Sequence, residues 1–174
     1  MTIRKILTEP DPFLRQKSVK VDLVNDEIRT LMNDMLETMY NAPGIGLAAI
    51  QVGVPKRVIV IDLSRDDEEK KPFYFVNPEI INNSNNNTAY EEGCLSVPGQ
   101  FAEINRPDKC EIKYLDYNGK EQILSASGLL ATCIQHEIDH LEGILFIDYL
   151  SKLKKNMIVK KLSKQKKSLE RIVV

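Results

Sequence analysis

The feature that most constrains this sequence is a pair of histidines four residues apart, His136 and His140, with Glu137 beside the first. They are the only two histidines in the 174 residues. Because a helix has about 3.6 residues per turn, positions i and i+4 share one face, and both imidazoles can reach a single metal ion. Glu137 is turned about 100° away, which keeps it out of the ligand set but near a water on the metal. The pattern predicts a metal site with Glu137 as general base, although a charged helix surface can carry the same letters by chance.

Two histidines leave a catalytic metal site one protein ligand short. The extended metallopeptidase pattern fails, because its third histidine would fall at Phe146. A downstream glutamate ligand is also unsupported, since Glu142 is too close on the same helix and Glu170 lies near the chain end. The remaining soft ligands are the three cysteines, Cys94, Cys110 and Cys133.

Local sequence favours Cys94 among the three cysteines. Cys110 lies in a segment that alternates like a strand, which indicates a packing residue. Cys133 is three residues before His136, and three ligands on adjacent turns of one helix would shape the site badly, so we interpret it as pocket lining. Cys94 follows acidic residues and Gly93, which exposes the backbone. Spacing alone makes Cys94 only the best candidate among the three cysteines for the third metal ligand.

Composition predicts one globular domain over residues 1–174. Hydrophobic residues make up 43% and charged residues 28%, which is ordinary for a soluble protein. No apolar run approaches the roughly 20 residues of a transmembrane helix, and the N-terminus lacks the apolar core of a signal peptide. An odd number of cysteines without a framework spacing indicates a reducing compartment. We expect a cytoplasmic protein that does not associate with membranes.

The chain end is strongly basic. From residue 151 onward nine Lys and Arg face one Glu, a local charge of +8, so the rest must carry −9 to give the net −1. We predict a basic helix over 149–173 whose lysines form either a solvated face or a docking surface for ribosomal RNA. Its predicted apolar side consists of Leu153, Met157, Leu162, Leu169 and Ile172.

Periodicity predicts the remaining elements. Apolar residues at helical spacing indicate a helix over 26–40, and the histidines lie on a helix from 127 to about 141 that Gly143 ends. Asn118-Gly119 predicts the turn of a hairpin, and the asparagine-rich residues 82–87 predict a loop. Residues 44–51 contain two glycines among small apolar residues, which fits either a tightly packed strand or a groove that binds a ligand. A nucleotide-binding loop is disfavoured because no helix follows the glycines. Strands are predicted over 58–61, 73–81, 101–106, 109–117 and 120–126.

Three segments resemble the signature motifs of bacterial peptide deformylases. They are GIGLAAIQ at 44–51, EGCLS at 92–96 and QHEIDHL at 135–141, in the family's order and at its usual spacing. The C-terminal helix resembles the subclass typified by Gram-negative bacterial enzymes. The resemblance implies an α+β fold, with mostly antiparallel strands around a central helix bearing the HExxH histidines, an N-terminal helix and a C-terminal helix.

The resemblance also implies a function. It indicates a metal-dependent hydrolase that removes formate from the N-formylmethionine of new polypeptides, with no nucleotide cofactor. Cys94, His136 and His140 would bind one divalent ion, iron(II) in the cell, whereas purified protein can carry zinc, nickel or cobalt. Glu137 would take the proton of the attacking water and return it to the leaving amine. The Gln51 side-chain amide and the Leu95 backbone N–H would donate hydrogen bonds that stabilise the oxyanion.

Four residues near these ligands are candidates for a methionine pocket, with plain core packing as the alternative: Ile45, Gly46, Leu129 and Cys133. The strand-like stretch 44–48 could pair with the substrate backbone, which would read little sequence beyond the first residue. Two rival functions stay open at this point. One is an HExxH metallopeptidase, and the other is a non-catalytic metal-stabilised module that docks on RNA and needs a fourth protein ligand.

Overall fold

A computed structural model of the chain describes residues 2–65 and 67–172, and for residues 170–172 it describes the backbone alone. Its α-helices are α1 (Asp26–Asn41), α2 (Gly128–Leu141) and α3 (Lys152–Ile172), and short 3₁₀ turns cover Pro12–Arg15, Ala49–Val52 and Phe146–Tyr149. The strands are β1 (Gly46–Ala48), β2 (Val58–Ile61), β3 (Phe73–Asn83), β4 (Asn87–Cys94), β5 (Val97–Pro107), β6 (Lys109–Leu115) and β7 (Glu121–Ser127).

The strands form two antiparallel sheets. One has five strands in the order β1-β2-β3-β6-β7, and the other is the β4–β5 hairpin. Helix α2 contacts strands of both sheets, so the predicted central position of the histidine helix agrees with the structure. The predicted α+β class is confirmed.

Strand β2 is buried on both faces and separates two parts of the core. Val58 and Val60 pack in the cluster of α1, whereas Ile59 and Ile61 pack in the cluster of α2. Alternation of side chains along a strand produces this division. The arrangement explains the uninterrupted VIVI run, because a strand covered on both faces needs apolar residues at every position.

Helix α1 forms for local and tertiary reasons. The Asn25 side chain accepts a hydrogen bond from the Ile28 N–H at 3.1 Å, which caps the helix, and Asp26 and Glu27 lie at its positive end. Its apolar stripe packs in the core, with Leu36 and Tyr40 partly buried, so the interpretation of its methionines as core residues is confirmed. The buried residues include Ile28, Leu31, Met32, Met35 and Met39.

Strand β4 was absent from the sequence prediction. Its residues, NTAYEEGC, are mostly polar, and their low strand propensity is overridden by pairing with β5, which itself begins at Val97 and not at 101. The predicted loop 82–87 shrinks to the short connection between β3 and β4. Strand β1 and a four-residue 3₁₀ turn, Ala49–Val52, follow the glycines, and the next element is strand β2 rather than the α-helix of a nucleotide loop.

The C-terminal helix differs from the prediction in its start and in its buried face. It begins at Lys152, because Tyr149 ends a separate 3₁₀ turn. Leu162 is only 3% exposed, but Leu153 is 72% exposed and Met157 and Leu169 are also exposed, so the predicted apolar side was wrong for these three. The side chain of Ile172 and residue 173 lie outside the described part. Leu153 and Met157 project roughly opposite to Leu162, and Leu169 lies along a stretch, 164–169, that is exposed throughout.

Within the described residues, no helix is long and apolar enough to cross a membrane.

Gly143 offers a test of how the end of α2 is packed. It has φ +75°, and a Cβ there would collide with the backbone carbonyl of Arg15. We expect Gly143→Ala to lower the free energy of unfolding by about 2–5 kcal/mol. A left-handed backbone conformation at alanine costs about 1–2 kcal/mol, and the collision with Arg15 adds about 1–3 kcal/mol of overpacking.

The matched control is Gly53→Ala, at φ +80° but with open space around the missing Cβ. This variant should lose only the left-handed penalty of about 1–2 kcal/mol in urea unfolding. Equal losses in the two variants would show that the contact with Arg15 does not matter.

Candidate active site

Three potential metal ligands, one thiol and two imidazoles, meet between the β4–β5 hairpin and α2. Cys94 is the last residue of β4, and His136 and His140 lie one turn apart on α2. Their potential ligand atoms all lie within 4.8 Å of one another, with Cys94 Sγ 3.2 Å from His140 Nε2. Cys110 is buried in strand β6, and Cys133 lies in a cavity wall. Of the three cysteines, the fold brings Cys94 to the histidines.

Residue Glu92 orients His136. Its carboxylate lies 2.8 Å from His136 Nδ1, and because a carboxylate accepts, Nδ1 carries the hydrogen and Nε2 keeps its lone pair for a metal. A hydrogen-bonded carboxylate behind a ligand histidine is the usual support in metal sites. Sequence reasoning missed this role, although Glu92 lies in the EGCLS motif two residues before Cys94.

A buried arginine holds Glu92 in turn. Arg106 donates to the two Glu92 oxygens at 2.6 and 3.0 Å, and its remaining terminal nitrogen donates to Asp139 at 2.8 Å. The Tyr149 hydroxyl donates to the same Asp139 oxygen at 2.7 Å, and the guanidinium carbon lies 4.9 Å from the Tyr149 ring centroid. No local sequence signal could have identified Arg106, because its partners come from β4 and α2.

The charges around His136 favour a cation. Burial alone would lower the pKa of His136, but the Cys94 and Glu92 side chains outweigh burial and raise that pKa well above its usual value. Burial would likewise raise the pKa of Glu92, yet the His136 and Arg106 contacts lower it. At His140, burial and then the neighbouring His136 lower the pKa well below its usual value. The Glu92 carboxylate and the Cys94 sulfur, which favour a proton at His136, also favour a metal ion there.

The Glu137 carboxylate lies against Gly46. A Cβ at position 46 would collide with Glu137 Oε1, so only glycine allows the strand to approach this closely. Within residues 2–65 and 67–172, no hydrogen-bond partner reaches the other oxygen, Oε2, which is fully buried. Burial raises the pKa of Glu137 to about 7, partly offset by His136. A carboxylate with this pKa can both accept and return a proton near neutral pH.

The Gln51 side chain is oriented by the backbone of β1. Its carbonyl oxygen accepts the Ala48 N–H at 2.8 Å, which directs the amide nitrogen away from β1. That nitrogen lies 3.0 Å from Ser96 Oγ and 3.6 Å from Cys94 Sγ. Leu95 follows Cys94 in the turn between the hairpin strands. Both predicted oxyanion residues therefore lie beside the proposed ligand.

A cavity of about 440 Å³ opens onto these groups. All four predicted pocket residues line it: Ile45, Gly46, Leu129 and Cys133. The wall also includes predicted site residues Gln51, Cys94, Leu95, His136 and Glu137. Other wall residues were not predicted from the sequence, and Phe101 is one of them.

Comparison with known proteins agrees with the geometry. The family model described as "Polypeptide deformylase" matches residues 3–156. The chain is 68% identical over 174 residues to a peptide deformylase of Pelagibacter ubique, with all of both chains covered. It is 61% identical over 171 residues to that of Maricaulis maris, covering 98% of each.

The chain belongs to the polypeptide deformylase family.

Solved structures of the family share the fold. A peptide deformylase from Ehrlichia chaffeensis in complex with actinonin superposes with a TM-score of 0.91 at 45% identity, covering 95% of this chain and 98% of that one. The enzyme from Legionella pneumophila gives a TM-score of 0.89 at 46% identity, covering 98% and 99%.

Members of the family are metal-dependent hydrolases that remove N-formyl groups from nascent peptides, so the predictions of family, activity and metal dependence are confirmed. The family match supports neither the metallopeptidase nor the RNA-docking module.

The support given by Glu92 can be tested by Glu92→Gln. The substitution keeps the side-chain shape but removes the charge and places an amide group among the donors of His136 and Arg106. We expect zinc affinity, measured by chelator competition, to fall about 10–100-fold. As a control, Glu103→Gln on the exposed side of β5 should bind zinc like the unmodified enzyme. Equal affinity in all three proteins would contradict an orienting role.

Proposed function

We propose that one site, built from the thiol of Cys94, the imidazoles of His136 and His140 and the carboxylate of Glu137, removes the formyl group from N-formylmethionyl peptides. The observation that carries this proposal is the convergence of groups from strand β4 and helix α2. The potential ligand atoms of Cys94, His136 and His140 lie within 4.8 Å of one another, and Cys94, His136 and Glu137 line one cavity. We propose further that residues 1–174 form a single catalytic domain.

The donor set fits a divalent metal ion. A thiol and two imidazoles supply three ligands, and the Glu92 contact leaves His136 Nε2 available. When bound, the ion supplies a Lewis acid that polarises a carbonyl and lowers the pKa of water. We propose iron(II) as the ion in the cell. The same ligands bind zinc, nickel and cobalt, and zinc binds such sites more tightly than iron(II), so availability decides.

Glu137 is the proposed general base and acid. Its buried oxygen Oε2 has no partner among the described residues, so it can hold a proton taken from water. The carboxylate then returns that proton to the amine that leaves when the formyl carbon–nitrogen bond breaks. Contact with Gly46 restricts where the carboxylate can lie, which places it for both transfers.

Gln51 and Leu95 are the proposed oxyanion donors. The bond from Ala48 N–H to the Gln51 oxygen leaves the amide nitrogen as the group directed toward Cys94. Because this orientation exists before substrate binds, the donor needs little reorganisation during reaction. Removing one such donor typically costs about 10²–10³ in rate.

Substrate binding is proposed along β1. This strand lies at one end of the five-stranded sheet, paired to β2, and Gly46 lines the cavity. An extended peptide could therefore pair with the backbone of β1 while its methionine side chain enters the pocket lined by Ile45, Leu129 and Cys133. Backbone pairing reads little side-chain information, which suits an enzyme with many substrates.

We also infer a cytoplasmic enzyme that binds ribosomes through α3. Three free cysteines suit a reducing compartment, where nascent chains are made. The lysines of α3 that support docking on anionic RNA are exposed: Lys154, Lys160, Lys161, Lys164, Lys166 and Lys167.

The function is tested by formate release from formyl-Met-Ala-Ser with anaerobically prepared protein, with and without added iron(II). We expect iron-dependent release. Cys94→Ser should lose both metal and turnover, whereas Glu137→Gln should keep the metal and lose turnover by at least about 10²-fold, because only the proton carrier is removed. Metal content measured on each variant separates the two effects. No formate from fully metallated enzyme, or near-normal turnover in Glu137→Gln, would refute the proposal.

Ribosome docking is tested by charge reversal on α3. We expect the triple variant Lys160→Glu, Lys164→Glu and Lys167→Glu to bind purified ribosomes more weakly and with a shallower salt dependence, since each phosphate contact releases counterions. The same reversal at the exposed lysines Lys5, Lys20 and Lys120 changes net charge equally and serves as control. Equal weakening by both triples would indicate only a general charge effect and would contradict docking through α3.

A further inference from the structure

Three large apolar side chains are exposed around the catalytic cavity. Ile45 is 46% exposed, Leu129 44% and Phe101 66%, and all three line the cavity. They come from different elements: the segment before β1, the first turn of α2 and strand β5. Exposed apolar surface gathered at one opening indicates a contact surface. Ile45 and Leu129 are accounted for by the methionine pocket, and Phe101 is not.

The backbone of the hairpin holds the Phe101 ring at the cavity edge. Phe101 pairs with Gly93 in the β4–β5 ladder, and paired residues project to the same face. A Cβ at Gly93 would lie 2.5 and 2.7 Å from ring atoms Cε1 and Cδ1, so the ring lies across the glycine backbone. Gly93 immediately precedes Cys94. The ring is therefore held beside the reacting centre while two-thirds of the residue stays open to contact.

We propose that Phe101 is a specificity-determining residue that contacts the side chains following formylmethionine in the substrate. This inference rests on the proposed function. An extended peptide that pairs with β1 and leaves its methionine in the pocket must carry its next residues past the cavity edge, where Phe101 lies. The ring offers apolar contact without a hydrogen-bonding group, so it favours apolar and aromatic side chains over glycine.

A nearby carboxylate determines which side chains are disfavoured. Glu91 is exposed, lines the cavity and projects to the same face of β4 as Gly93. An acidic substrate side chain beside Phe101 would meet this like charge. The expected preference after formylmethionine is therefore leucine or phenylalanine, then glycine, then aspartate.

The proposal is tested by kcat/KM for two peptide series, formyl-Met-X-Ser and formyl-Met-Ala-X, with X as Leu, Gly or Asp. In one or both series, Phe101→Ala should lower the Leu-to-Gly ratio about three- to tenfold, the range expected for one aromatic contact. The loss should fall mainly in KM, because the contact exists in both the ground and transition states. Phe101→Tyr, which keeps the ring, should restore the ratio. Glu91→Gln should raise kcat/KM for the Asp peptide relative to Gly by a few-fold.

Ile123→Ala is the matched control, since Ile123 is exposed to a similar extent on β7 but does not line the cavity. It should leave every ratio unchanged. Turnover of the glycine peptides shows separately that the enzyme deformylates. If they react but Phe101→Ala leaves the Leu-to-Gly ratios unchanged in both series, Phe101 does not determine specificity. If no peptide reacts, the proposed function itself fails.

Discussion

The buried ion pair between Glu92 and Arg106 is the interaction on which the site depends. Both side chains are about 5% exposed, and burying two charges is costly unless every donor and acceptor is used. Here the guanidinium binds both Glu92 oxygens and Asp139, and Glu92 also accepts from His136. Such a pair adds little net stability compared with an apolar replacement, but removing one partner costs about 3–5 kcal/mol. We infer that the pair serves mainly to hold His136 and the neighbouring site residues in position.

The same pair joins the two parts that carry the ligands. Glu92 and Arg106 lie on the two strands of the hairpin, and Asp139 and His136 lie on α2. Because Cys94 is two residues beyond Glu92, the contact that orients His136 also determines where the thiol lies relative to the helix. A site held by strands and a helix is positioned more accurately than one on loops.

The catalytic centre and the surfaces around it are built differently. Behind the centre, β2 is covered on both faces and α2 is almost entirely buried, which leaves little freedom for the histidines. At the cavity edge Phe101 remains open, and residues 164–169 of helix α3 are exposed on all sides. We therefore infer that the proposed chemistry takes place on the buried part, and that the proposed contacts with substrate side chains and anionic partners involve the exposed parts.

The sequence by itself determined the features that depend on local spacing. His136 and His140 had to share a face once they lay on a helix, the stripe of α1 had to be buried, and Asn118-Gly119 had to turn the chain between β6 and β7. Strand β4 could not be predicted, because its polar residues form a strand only through pairing with β5. The buried side of α3 also escaped prediction, since Leu153 and Leu162 are equally apolar and only the packing partners distinguish them.

Tertiary structure alone decided the long-range pairs. It chose Cys94 among three cysteines, brought Arg106 to Glu92 and placed the glycine of β1 against Glu137. Local spacing carries no information on contacts between different strands and helices. The Glu92–Arg106 contact depends on the pairing of β4 with β5, and the other contacts depend on how the sheets pack around α2.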